Sequence, residues 1–188
     1  MRTIREHSEE MSTDDAIEHI IKLTGASQGE AREMNAAVRA FSSAYYEEIR
    51  AYQQTGVGES NIAKYAADVD KFIERAPKWN GGVTYRGIRL KPNEIAAINV
   101  GDTIGQNGTS SWSTKVSTAE SFSGFGGAQA VIFVNEGIQR HGTSIKFTSL
   151  FAGENEVTAS SKARWTVVSK ERIGGTFDGH WRIGVRSL

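Results

Sequence analysis

The chain has 188 residues with 22 basic and 22 acidic side chains, so its zero formal charge argues for neither a nucleic-acid nor a membrane partner. Hydrophobic residues make up 38% and include eight Phe, five Tyr and four Trp, enough for one substantial core at this length. The absence of cysteine excludes disulfides, thiolate metal sites and cysteine nucleophiles.

Residues 1–12 are polar, and Met1-Arg2-Thr3-Ile4-Arg5-Glu6-His7 opens a charged stretch with no apolar run of signal-peptide length. No stretch approaches the ~20 apolar residues of a membrane span, so a soluble protein is expected. Ser12-Thr13-Asp14-Asp15 offers an N-cap with acidic residues in the first turn. Ile17, Ile20 and Ile21 follow at helical spacing, and Gly25 stops that helix. Met34, Val38, Phe41, Tyr45, Ile49 and Tyr52 recur at three- and four-residue steps, predicting a single long helix broken by Gly56 and Gly58. A third helix is capped by Ser60, carries Ile62, Tyr65, Val69, Phe72 and Ile73 on one side, and ends before Pro77.

From residue 80 the helical period disappears. Short β-type runs at 83–89, 131–135, 144–148, 156–159, 164–170 and 181–186 are separated by Gly101-Asp102, Asn107-Gly108, Gly153 and Gly174-Gly175. Helices followed by strands predict an α+β fold. We expect one domain over 1–188, with a helical lobe at 1–79 and a strand-rich core at 80–188.

Three segments have chemistry to offer. In Val83-Thr84-Tyr85-Arg86-Gly87-Ile88, Arg86 supplies a rigid fork of donors suited to a pyrophosphate or carboxylate, and Gly87 permits close approach of a ligand to the backbone. A strand arginine on its own is more often a surface residue. Thr109-Ser110-Ser111-Trp112-Ser113-Thr114-Lys115 is rich in hydroxyls that can orient a carboxylate, and Ser117 with Glu120 reads as a capping box. The plainer reading is a polar turn and a helix cap. In Phe151-Ala152-Gly153-Glu154-Asn155-Glu156-Val157 the two glutamates, read on one strand, share a face. Such a pair is commonly a solvated strand face, and paired carboxylates also run glycoside hydrolysis. Gly124-Phe125-Gly126-Gly127 fits neither a dinucleotide nor a P-loop register. The four histidines, His7, His19, His141 and His180, have no metal-ligand spacing, so no metal is expected.

Arginine, then Ser-Thr, then Glu-x-Glu is an order that resembles the arginine-specific mono-ADP-ribosyltransferases of the bacterial toxin and bacteriophage type. Residues 36–50 with Tyr45-Tyr46 and Ile49, and Val69 to Pro77 ahead of Tyr85-Arg86-Gly87, are similar to family helices, so the resemblance covers roughly residues 30–188. Two departures stand out. Lys115 occupies the third position of Ser-Thr-Ser, and the alternative registration Ser111-Trp112-Ser113 also contains Ser113. After Glu156 the strand turns polar at Thr158-Ala159-Ser160.

The resemblance implies a mixed α/β core of two packed antiparallel sheets that binds NAD as co-substrate. It implies that Arg86 holds the NAD phosphates with Gly87 and Thr114 nearby, and that Ser113 orients Glu156. Glu156 would stabilise the charge formed as nicotinamide leaves, Glu154 would receive an acceptor guanidinium, Phe151 would pack that acceptor and Phe125 would cover the nicotinamide. The implied partner is a target protein bearing an acceptor arginine, in the cytoplasm of an infected bacterium or of an effector's recipient cell. An NAD glycohydrolase, transfer to a non-protein acceptor such as nucleic acid, and a non-catalytic phage binding module remain the alternatives.

Overall fold

A computed structural model describes residues 11–149, 152–175 and 177–188. Four helices come first: α1 (Thr13–Thr24), α2 (Gln28–Phe41), α3 (Tyr46–Thr55) and α4 (Ser60–Arg75). Their boundaries follow local chemistry. Ser12 accepts from the Asp15 N–H and Gly25 closes α1 in the left-handed conformation, while Ser27 and Glu30 form a reciprocal capping box at α2. Ser60 is the first residue of α4 rather than its cap, a position taken by Glu59 without a side-chain bond.

The stripe from Met34 to Tyr52 is carried by two helices, not one. Ser42 and Ser43 turn their hydroxyls back to the carbonyls of Arg39 and Ala40, which competes with helix propagation and opens a turn over 42–45. The phase slips by one residue across it. Ile49 is buried as expected, but Tyr45 is 42% exposed and Tyr46 packs on the core instead.

The strands are β1 (Thr84–Arg89), β2 (Thr103–Ile104), β3 (Ser110–Ser113), β4 (Ala130–Asn135), β5 (Gly142–Ser144), β6 (Glu156–Ala159), β7 (Trp165–Ile173) and β8 (His180–Ser187). Helix α5 (Pro92–Ala97), opened by Pro92 at its first turn, follows β1, and α6 (Val116–Phe122) follows β3. The predicted cap of α6 is not used: the N-cap position belongs to Lys115. The predicted strand over 144–148 ends at Ser144, because the Thr148 and Ser149 N–H groups turn back onto the Ile145 carbonyl.

The fold is α+β, with helices preceding a mostly antiparallel sheet. The strands join in the order β2-β7-β8-β4-β1-β3-β6-β5, and β4 with β8 is the parallel pair. The ladder is continuous, but its two halves fold over and pack on each other. Trp112 on β3 meets Trp165 on β7 with ring centroids 5.1 Å apart, although three strands lie between them in the sheet. Val131, Phe133, Val157, Val167, Ile183 and Val185 fill the same core. Buried Gln139 bridges the halves, donating to Thr84 Oγ1 at 2.9 Å and accepting from Trp165 Nε1 at 3.0 Å. This satisfies polar atoms that would otherwise be buried without partners.

The helical lobe docks through polar contacts as well as its own core. Gln53 of α3 donates to Thr109 Oγ1 and accepts from its N–H, both at 2.7 Å. Asp70 of α4 accepts from the Ser161 N–H at 2.9 Å, and Thr148 donates to buried Asn35 of α2 at 2.6 Å. These bonds tie α3 to the residue before β3, α4 to the turn after β6, and α2 to the turn after β5. A cavity is left between lobe and sheet.

Candidate active site

That cavity has a volume of about 750 Å³ and is lined by the α2–α3 region, β1, β3, α6, Glu154 and Glu156. Arg86 and Glu156 both open onto it. They come from strands that do not pair with each other but flank β3 on either side.

Arg86 is 7% exposed, contrary to the surface position usual for a strand arginine. Its Nε donates to Gln106 Oε1 at 3.0 Å and its Nη1 to the Ser111 carbonyl at 2.9 Å. Both partners are neutral, and among the described residues Arg86 makes no ion pair. Burial lowers its pKa, opposed first by Tyr46, while the neighbouring Arg50 lowers it further. The Glu156 charge favours the guanidinium without bonding to it, and a guanidinium fixed by neutral partners keeps a donor fork suited to an anion. Arg50 of α3 borders the same space, bonded to Tyr46 Oη at 2.6 Å and to the Gln106 carbonyl.

Gly87 is required by packing. A Cβ there would sit 1.6 Å from the Ala119 carbonyl oxygen, so helix α6 lies directly on the strand. The glycine thus lets a helix, rather than only a ligand, approach the backbone.

Glu156 opens β6 and is 5% exposed. Burial pushes its pKa up. Hydrogen bonds from Ser111, Thr158 and Ser149 oppose that rise, and the charge of Glu154 adds to it. Glu154 does not share the strand. It ends a short 3₁₀ turn at 152–154, and Asn155 follows with φ 49°, so the two carboxylates meet across a kink rather than along a pleat. Glu154 is half-buried, and desolvation raises its pKa as well.

The serines divide their work differently from the expectation. Ser113 lies opposite Glu156 in the β3–β6 register, but its hydroxyl donates to the Glu154 carbonyl at 2.5 Å and accepts from the Lys115 N–H at 3.0 Å. The hydroxyl that reaches the Glu156 carboxylate is that of Ser111. Ser113 and Lys115, whose Nζ donates to the Gly153 carbonyl at 2.8 Å, shape the turn that carries Glu154. Thr114 continues the ladder, donating its N–H to the Asn155 carbonyl at 3.4 Å, and does not line the cavity.

Phe125 stands at φ 56° in the loop after α6, is 75% exposed, and is not among the cavity-lining residues; Phe122 is. Phe151 lies outside the described residues. Gln106, Tyr46, Arg50 and Thr158 escaped the sequence reading. Tyr46, inside the Tyr45-Tyr46 pair, and Thr158, where the strand after Glu156 turns polar, carried a signal there.

No protein-family model and no curated protein matches the sequence. Solved structures do. The ADP-ribosyltransferase Vis in complex with the M6 inhibitor superposes with a TM-score of 0.71 at 22% identity, over 96% of this chain and 87% of that one. Vis, a toxin from Vibrio splendidus, also matches in its complex with agmatine, at TM-score 0.69 and 23% identity over 100% and 88% of the two chains. Exoenzyme S from Pseudomonas aeruginosa, solved with human 14-3-3 protein beta and bound to Carba-NAD, matches at 0.69 and 15% identity over 94% and 88%. The fold of this chain is that of the ADP-ribosyltransferases.

Proposed function

We infer that the protein transfers ADP-ribose from NAD to the guanidinium of an arginine on a target protein, releasing nicotinamide. The carrying observation is the convergence of Arg86, Ser111, Glu154 and Glu156 on one cavity. Its volume, about 750 Å³, lies inside the ~300–1,000 Å³ of ligand clefts. The donor set suits NAD: a buried, unpaired guanidinium for the pyrophosphate and a buried carboxylate for the ribose.

In this reading the bond between nicotinamide and the ribose C1′ breaks, and its electron pair leaves with nicotinamide. Glu156, ionised and held by Ser111, stabilises the positive charge that develops on the ribose. Arg86 holds the phosphates, with the Gly87 backbone and the β3 segment alongside. Glu154, from the neighbouring turn, receives the acceptor guanidinium and takes the proton that it loses as its nitrogen bonds to C1′. Desolvation raises the pKa of Glu154, the direction that suits a group that takes up the acceptor's proton. The complex of Vis with agmatine supports an acceptor of guanidine type, since agmatine bears that group. The Carba-NAD complex of exoenzyme S supports NAD as donor.

The test is incubation with labelled NAD and a cell lysate, followed by mass spectrometry of modified proteins. Label on arginine, reduced by added agmatine, is expected. Nicotinamide release with no labelled protein and no labelled agmatine would instead identify a hydrolase.

A further inference from the structure

The Glu156 carboxylate receives hydrogen bonds from three hydroxyls on three separate segments. Ser111 of β3 and Thr158 of β6 both donate to Oε1, Thr158 at 3.2 Å. Ser149, in the turn that ends the β5 segment, donates to Oε2 at 3.4 Å. Thr158 and Ser149 are buried, at 0% and 1% exposure, and neither borders the cavity. A carboxylate oxygen has two lone-pair directions. Both are taken on Oε1, while Oε2 accepts a single long bond from the described residues.

Thr158 is two positions after Glu156 on the same face of β6, where a buried valine would pack equally well without a polar atom to satisfy. The Thr158 hydroxyl has the glutamate as its hydrogen-bond partner. Ser149 reaches Oε2 because the chain abandons the strand after Ser144 and folds back on Ile145, while Thr148 anchors the bend to Asn35.

We propose that Thr158 and Ser149 are positioning residues which, together with Ser111, hold buried Glu156 as an anion and leave Oε2 as the oxygen offered to the substrate. The proposal rests on the reading of Glu156 as the group that faces the ribose. The charged and titratable groups around Glu156 are Glu154 on the adjoining turn, Arg86 on β1, and Tyr46 and Arg50 on α3 across the cavity. Glu154 disfavours its ionised form and Arg86 favours it. Neither bonds to it, so hydroxyl donation is the direct stabilisation available among the described residues.

The test is a carboxyl titration of the full chain by NMR with ¹³C-labelled glutamate, the Glu156 signal being the one lost in Glu156→Gln. Thr158→Val keeps the side-chain shape and removes the donor; its midpoint is expected to move upward by about one pH unit, the size of one hydrogen bond to a charged group. Ser149→Ala should move it less, in keeping with its longer bond, and Thr158→Ser should restore it. The acid limb of kcat for transfer should shift with the midpoint, while KM for NAD on the alkaline side stays within about twofold. Folded variants with an unchanged midpoint would overturn the proposal, and Ser149→Ala supplies that answer if Thr158→Val does not fold. A shifted midpoint in a protein that never transfers ADP-ribose would uphold the hydroxyl clamp and refute the enzymatic reading.

Discussion

Arg86 and Glu156 are joined through a single residue between them: the Ser111 carbonyl accepts from Arg86 Nη1 at 2.9 Å, and the Ser111 hydroxyl donates to Glu156. Because β3 runs between β1 and β6, one residue fixes the spacing of the Arg86 guanidinium and the Glu156 carboxylate. Ser113, two residues on, serves the turn of Glu154 instead.

Ser111→Ala should therefore lower kcat for transfer by roughly 10- to 100-fold, the loss of one hydrogen bond to a charged group, with little change in KM for NAD. The Arg86 contact uses the backbone and survives the substitution. Ser113→Ala should loosen the Glu154 turn, reducing transfer to arginine more than nicotinamide release. Steady-state assays of both products on the two variants separate these effects.

Local signals in the sequence identify the features whose causes are local. Ser12 and Gly25 mark the ends of α1 because capping involves neighbours within one turn, and Glu154 with Glu156 is visible as a pair two residues apart. The break at 42–45 is masked because Tyr45 fits the stripe as well as Tyr46 does; only the serine back-bonds decide the phase. Ser111 cannot be told from Ser113 by pattern, since both lie on β3 and the choice depends on where the 152–155 turn comes to rest. Gln106 and Ser149 reach the site through tertiary bends that have no short-range signature.

Gly87→Ala should be severely destabilising. The added methyl would penetrate the Ala119 carbonyl at 1.6 Å, and backbone cannot yield as a flexible side chain can. Overpacking of this kind costs at least ~1–3 kcal/mol, so a fall in Tm of several degrees and displacement of α6 are expected. A variant with the parent Tm would show that α6 is not held against β1.

Stability should depend on acid pH through Glu30. Its hydrogen bond from Lys71, its capping bond with the Ser27 N–H and the charges of Lys71 and Arg75 lower its pKa from 4.5 to about 2. The folded state holds the charge more tightly than the unfolded chain, so this contribution is complete above about pH 4.5 and disappears as pH falls towards 2. Denaturation midpoints of the parent and Glu30→Gln should differ at pH 6 and converge near pH 2. Solvent screening keeps the difference small. Equal midpoints at pH 6 would remove Glu30 as a tie between α2 and α4.

The central claim, that the two carboxylates divide the chemistry of one cavity, is tested most directly by measuring nicotinamide release and labelled-protein formation side by side in Glu156→Gln and Glu154→Gln. The account predicts that Glu156→Gln abolishes both products, a loss of at least ~100-fold, and that Glu154→Gln loses transfer to arginine while retaining nicotinamide release. Parent-level activity for both products in Glu156→Gln would contradict it.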